Sequence, residues 1–189
     1  YSSDEDKLPE IKYEDGDKLW YIPGTNILHR EDGPAKEKAN GDKLWYINGE
    51  LHREDGPAIE EANGAKLWYL NDKIHREDGP ALEFANGDKE WLINGKRHRE
   101  DGPAIEFAEG RKEWHINDEL HREDGPAIEE INGDKEWYIR NKIHREDGPA
   151  IEYADGRKEW WLDDEEIEYS PDTWDQKVQE SHINHTMSG

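Results

Sequence analysis

The sequence predicts an all-β fold: a single-domain solenoid of stacked β-hairpins closed by a short C-terminal helix. Three observations lead there. A heptapeptide, His-Arg-Glu-Asp-Gly-Pro-Ala, begins at His29, His52, His75, His98, His121 and His144, every step being 23 residues. A turn dipeptide of the Asn-Gly kind divides each period. A tryptophan follows at a fixed place: Trp45, Trp68, Trp91, Trp114, Trp137 and Trp160. Self-similarity at a fixed period is the signature of repeat architectures, in which each unit buries its apolar face only against its neighbours.

The elements follow in order. Residues 1–8 read as a flexible N-terminus and residues 9–28 as a degenerate capping hairpin with Pro9 and Gly16 in repeat register. Residues 29–166 hold the six repeats, and residues 167–189 a cap and tail. Within one repeat, Ala58-Ile59-Glu60-Glu61-Ala62 precedes Asn63-Gly64, and Ala65-Lys66-Leu67-Trp68-Tyr69-Leu70 follows. Asn-Gly favours a two-residue type I′ turn, which needs positive φ at both positions. That turn length pairs Glu61 with Lys66, Glu60 with Leu67 and Ile59 with Trp68, making the tryptophans the expected core. Lys36 replaces the apolar partner in the first repeat, so that rung should be weaker. A second turn follows at Asn48-Gly49, Asn71-Asp72, Asn94-Gly95, Asn117-Asp118 and Arg140-Asn141. The Asp-Gly-Pro corner then leads into the next unit. A lone hairpin is marginal in water, so the units must stack. At two strands each they would advance by about 10 Å, or about 65–70 Å for seven hairpins. Ser170-Pro171-Asp172 reads as a helix start, with a short helix to about Glu180 and a frayed end over residues 181–189.

Composition limits the function. Of 189 residues, 48 are acidic and 25 basic, a net charge of −23. The ends are the most acidic: seven acidic residues stand against three basic in residues 1–28, and eight against one in residues 163–189. Direct contact with nucleic-acid phosphates or anionic membranes is disfavoured. Apolar runs are too short to span a bilayer. There is no cysteine, which excludes disulfides and thiolate chemistry and fits a reducing, cytoplasmic setting.

The string Asn48-Gly49-Glu50-Leu51-His52-Arg53-Glu54-Asp55-Gly56, followed by a Gly turn and an aromatic residue, resembles MORN repeats. It is closer to the MORN-like variant with a His-Arg-x-Asp-Gly-Pro-Ala signature found in phage and giant-virus proteins. The resemblance covers roughly residues 9–169. It departs from standard MORN units in placing Arg-Glu-Asp between His and Gly, which argues against lipid binding. It implies a scaffold or interaction role, and a viral origin would favour an inhibitor of a host defence protein.

Histidine and carboxylates in every heptapeptide invite a metal or catalytic reading. Catalysis, however, needs one asymmetric constellation, whereas this one recurs six times. The structural reading has His bonding backbone and Arg bridging Asp or Glu of a neighbouring rung. No catalytic residue, metal ligand or cofactor is therefore expected. Glu60, Glu83, Glu106 and Glu129, with Glu37 and Glu152, form an acidic ladder. In the two-residue register Lys43, Lys66, Lys89, Lys112, Lys135 and Lys158 lie on the opposite face. The copies differ at Tyr46, Tyr69, Leu92, His115, Tyr138 and Trp161, a position free for recognition beside that ladder. A third variable position, Lys38, Glu61, Phe84, Phe107, Glu130 and Tyr153, would share the tryptophan face. The expected function is non-catalytic binding of a protein with a basic surface through this acidic and aromatic face. DNA mimicry against a host nucleic-acid-binding enzyme is the alternative, and a metal-stabilised structural protein the third. The chain would be monomeric or weakly self-associating through its open edges.

Overall fold

The computed structural model describes residues 10–187; the expected flexible segment 1–8 and residues 188–189 lie outside them. Antiparallel hairpins of short strands fill the described residues, with one helix, Trp174–Met187, at the C-terminal end. The all-β repeated-hairpin fold is thus present. The chain divides between Lys96 and Arg97 into two compact units.

In the first unit the main strands run in the order Glu10–Glu14, Asp17–Tyr21, Lys36–Glu37, Lys43–Leu44, Ile59–Glu60, Lys66–Leu67, Leu82–Glu83 and Lys89–Glu90. In the second they are Ile105–Glu106, Lys112–Glu113, Ile128–Glu129, Lys135–Glu136, Ile151–Glu152, Lys158–Leu162 and Glu165–Ile167. Each repeat adds two main strands and then a small side hairpin, such as Tyr69–Leu70 with Lys73–Ile74.

The register differs from the expected one by a single residue. Ile59 pairs with Leu67, and Glu60 with Lys66. Glu61 N–H donates to Ala65 O and Gly64 N–H to Glu61 O, both at 2.9 Å. Only Gly64 of the turn has positive φ, at 97°. This is a three-residue turn closed by a left-handed glycine, the next commonest hairpin connection. The side hairpins take the two-residue form instead. Asn71 and Asp72 have φ of 49° and 61°, and Asn117 and Asp118 have 52° and 70°.

A one-residue slip exchanges the faces of a strand, and the consequences are large. Trp68 is not paired with Ile59. Its N–H donates to Ala81 O at 2.9 Å, and its carbonyl accepts from His75 N–H at 3.1 Å. Trp45, Trp114 and Trp137 repeat both bonds with their own Ala and His partners. The repeat tryptophans are half-buried and do not form the core. The core lies in the heptapeptide alanines, each fully buried, and in a row of aliphatic residues. In the first unit that row is Leu19, Lys36, Leu44, Ile59, Leu67 and Leu82, paired in succession. Lys36 survives there by sending its Nζ to Asp17 Oδ2 at 3.0 Å. The third variable position sits at the mouth of the three-residue turn and not in the core; Phe84 is exposed.

The heptapeptide holds the corners. The Arg76 guanidinium lies 4.0 Å from the centre of the Trp68 ring. Its Nε donates to Asp78 Oδ1 at 2.8 Å, and its Nη1 donates to Pro80 O and Glu83 Oε1. Arg53 on Trp45, Arg122 on Trp114 and Arg145 on Trp137 do the same. The corner glycine makes room: a Cβ on Gly79 would stand 2.8 Å from the guanidinium carbon. His75 Nδ1 accepts the N–H of Asn94, 19 residues on, at 3.1 Å. Hence His bonds backbone and Arg bridges carboxylates, as the structural reading required. At the end of the array Glu168 stands where the repeats carry Arg. Tyr169 stacks on Trp160 instead, at 4.4 Å, and Trp174 packs edge-on against Tyr169. Trp174 Nε1 donates to Glu146 O at 2.7 Å, seating the start of the helix on the last heptapeptide corner. The helix runs past Glu180 to Met187, through most of the segment expected to fray.

A cation stacked on an aromatic face contributes about 0.5–2 kcal/mol. Gly79→Ala should therefore lower stability by about 1–2 kcal/mol, because the methyl group displaces Arg76 from Trp68. In an Arg76→Ala background the same change should cost little or nothing, since Gly79 lacks positive φ and alanine restricts the unfolded chain. Urea unfolding of the four proteins checks this; equal costs in both backgrounds would refute the role given to Gly79.

Candidate functional site

The residues expected at the binding face are turned inward or neutralised. Tyr46 and Tyr69 are half-buried, and burial pushes both hydroxyl pKa values up. Leu92 and His115 are buried. His115 Nε2 lies 2.9 Å from Glu113 Oε2, and Arg111 Nη2 lies 2.7 Å from Glu113 Oε1. The His115 hydrogen bond, acting first, holds the Glu113 carboxyl below its usual range. Tyr138 Oη donates to Glu136 Oε2 at 2.9 Å, and Trp161 Nε1 to Glu159 Oε2 at 3.0 Å. Burial, then the Glu136 bond, raise the Tyr138 pKa.

These contacts account for the variable position in the second unit. In the second unit the aliphatic row becomes Ile105, Glu113, Ile128, Glu136, Ile151 and Glu159. A half-buried carboxylate must be hydrogen-bonded. His115, Tyr138 and Trp161, each two residues on, supply the donor. In the first unit Leu44 and Leu67 need none, and the residues two on are Tyr46 and Tyr69. In the second unit the variable position thus supplies a donor for the glutamate two residues before it; in the first unit Glu90 is followed by Leu92 and the pairing does not hold.

The acidic ladder is also different from its expected form. Glu60, paired with Lys66, is also paired with Lys43, and Glu83 pairs with Lys66 and Lys89. In the second unit Glu106 pairs with Lys112, and Glu129 with Lys112 and Lys135. Paired residues share a face, so glutamate and lysine alternate along one row. Each of Glu60, Glu83, Glu106 and Glu129 also accepts from its corner arginine, at 3.0–3.2 Å. This row is close to neutral, contrary to the negative stripe expected from the two-residue register.

The exposed negative charge lies elsewhere, at the corners. Glu31-Asp32, Glu54-Asp55, Glu77-Asp78, Glu100-Asp101 and Glu123-Asp124 have side chains 84–87% exposed. Each aspartate spends one oxygen on its arginine; each glutamate stands only 3.7 Å from a histidine Nε2. Between successive corners the surface opens into clefts. In the first unit one is floored by Trp45 and Ile47, between the corners at residues 30–34 and 52–55. The next is floored by Trp68 and Leu70, between residues 53–57 and 75–78. They are open depressions of roughly 860 and 820 Å3, and Arg53, Glu54 and Asp55 form a wall common to both. The second unit has a like cleft on Trp114 and Ile116. Two arginines and four carboxylates line each, but an inner corner is shared by two clefts, so each repeat contributes one uncompensated negative charge. Six-fold recurrence had marked the corner residues as structural; only the register shows that they are the exposed ones.

Among the described residues no cluster of three or more His, Cys, Asp or Glu is arranged to hold a metal ion, and no helix is long and apolar enough to cross a membrane. A scan against models of known protein families finds no match, and no curated protein matches the chain's sequence.

Tyr138→Phe leaves the half-buried Glu136 without its donor and should cost about 1–3 kcal/mol. Glu136→Leu, which copies the first unit's row, should be neutral or stabilising. Thermal melting of both variants compares them; a costly Glu136→Leu would contradict the compensation described above.

Stability should also fall in acid. The arginine hydrogen bond, acting first, lowers the pKa of Asp32, Asp55, Asp78, Asp124 and Asp147. Asp42 falls to about 2, chiefly through the Ala62 N–H. A carboxyl with a depressed folded pKa contributes fully above its unfolded value, 3.8 for aspartate, and loses that contribution as pH falls through the folded pKa. Melting temperature should therefore be level just above pH 4 with respect to these groups. It should drop between about pH 4 and 2, less steeply in Arg76→Gln.

Proposed function

We propose that this chain is a non-catalytic binding scaffold of MORN-like repeats, and that its recognition surface is the row of corner clefts. One observation carries the reading: the same cleft, an aromatic floor between exposed carboxylate pairs, recurs from repeat to repeat. A basic protein surface is the complementary partner. One face of each tryptophan already carries the corner arginine, so lysine and arginine can lay their aliphatic stems on the rest of the floor, Ile47 and Leu70 included, while their charges meet the rim carboxylates. Opposed potentials of this kind steer encounter and favour the right partner. A host defence protein with a basic face is a partner of that chemistry, in keeping with the viral resemblance. Mimicry of DNA through the Glu60 row is the weaker reading, because lysine and arginine neutralise that row rung by rung.

Titration calorimetry with an unstructured lysine-rich peptide tests the surface. Glu31→Gln, Glu54→Gln and Glu77→Gln together should weaken binding at least about tenfold, a loss of about 1.4 kcal/mol. Glu165→Gln, Glu166→Gln and Glu168→Gln remove the same charge from the last strand and its flank, and should matter far less. Equal losses in the two triple variants would reduce the effect to net charge. Competition by duplex DNA for an enzyme captured on the protein would favour mimicry instead.

A further inference from the structure

We infer that neighbouring clefts take a basic segment in the polyproline II conformation, with lysine or arginine at every third position. The inference rests on the reading of the corner clefts as the binding surface and adds the conformation and register of the ligand. Its basis is a coincidence of two lengths.

The first length is set by the protein. Each repeat contributes two main strands to the sheet, and neighbouring strands lie about 4.8 Å apart, so successive corners advance by about 9.6 Å. The clefts on Trp45 and Trp68 are immediate neighbours, since Glu54 and Asp55 wall both of them. A ligand crossing this wall must present side chains to the same side at that spacing.

The second length is set by the ligand. A polyproline II helix has three residues per turn and rises about 3.1 Å per residue, so residues i and i+3 share a face about 9.3 Å apart. An extended β-strand repeats its face every second residue, at about 6.6 Å, or every fourth, at about 13 Å, and matches neither way. An α-helix returns to the same face after seven residues, at about 10.5 Å, but as a cylinder about 10–12 Å wide. Polyproline II segments are also the peptides that aromatic-floored grooves accept, because they are preformed and lose little entropy. The rim chooses the side chain. One uncompensated negative charge per repeat, with Glu31 and Glu54 at 84% and 87% exposure, calls for one cation per cleft.

The experiment uses the whole chain and four synthetic peptides of equal length and charge. Three are proline-rich, with lysines at every second, every third or every fourth position; the fourth is helical, with lysines seven apart. Fluorescence anisotropy at low and moderate salt reads the affinities. The every-third peptide should bind at least about tenfold more tightly than the other three. Glu54→Lys, which reverses the common wall, should abolish that preference while the melting temperature stays unchanged. Equal affinity for all four peptides, or a preference for the helical one, overturns the register and leaves the clefts as a general basic-protein surface. Absence of binding by all four overturns the underlying reading as well.

Discussion

The stacking of the corner arginine on the tryptophan organises the repeats within each unit. The guanidinium can lie flat on the ring only because glycine leaves the space and because Asp, the proline carbonyl and Glu fix its edges. This fixes the corner, and the corner delivers a fully buried alanine whose carbonyl receives the tryptophan N–H. Five of the seven heptapeptide residues are thereby accounted for by one contact. The protein can dispense with a large apolar core because the contact takes over part of its task. Half-buried tryptophans and short aliphatic rows suffice where each corner is locked by charge-assisted hydrogen bonds. The terminal exception is instructive. With Glu168 in place of arginine, Trp160 needs another cover, and Tyr169 with Trp174 provides it.

The repeat, the hairpins, the side-hairpin turns and the helical cap were legible in the sequence because each has a local signature. The bonding partners of His and Arg were legible too, since a constellation present six times suits a structural role better than a catalytic one. The register was not. Asn63-Gly64 satisfies a two-residue turn and equally the last two positions of a three-residue turn. The two differ by one residue and present opposite faces. That choice moved Trp68 out of the core, set lysine against glutamate along one row, and left the corner carboxylates as the exposed charge. The Ile–Trp pairing had supported the two-residue turn, yet the aliphatic row is equally well formed by Ile59 with Leu67.

Differences between copies carried a second ambiguity. Tyr46, Tyr69, Leu92, His115, Tyr138 and Trp161 vary, and variation within a repeat array reads naturally as recognition. In the folded chain the variation at His115, Tyr138 and Trp161 is a hydrogen-bonding response to the glutamate two residues before. Aligning copies position by position hides such a pairing, because it becomes visible only when two columns are read together. The constant residues, by contrast, include Glu and Asp side chains 84–87% exposed in five of the six copies. In this fold invariance between copies marks the corner, and the corner is at once the structural lock and the outer surface.

The wall common to two clefts has a consequence for how such a chain changes over time. A corner serves the cleft before it and the cleft after it, so a duplicated 23-residue copy brings one complete new cleft without any new side chain being invented. Gain or loss of a copy therefore alters valency in single steps. Because linked sites act at high effective concentration, each step multiplies avidity where its span matches the ligand. On the proposed function, copy number would be a coarse adjustment of binding strength, while the chemistry of each cleft is held fixed by the fold.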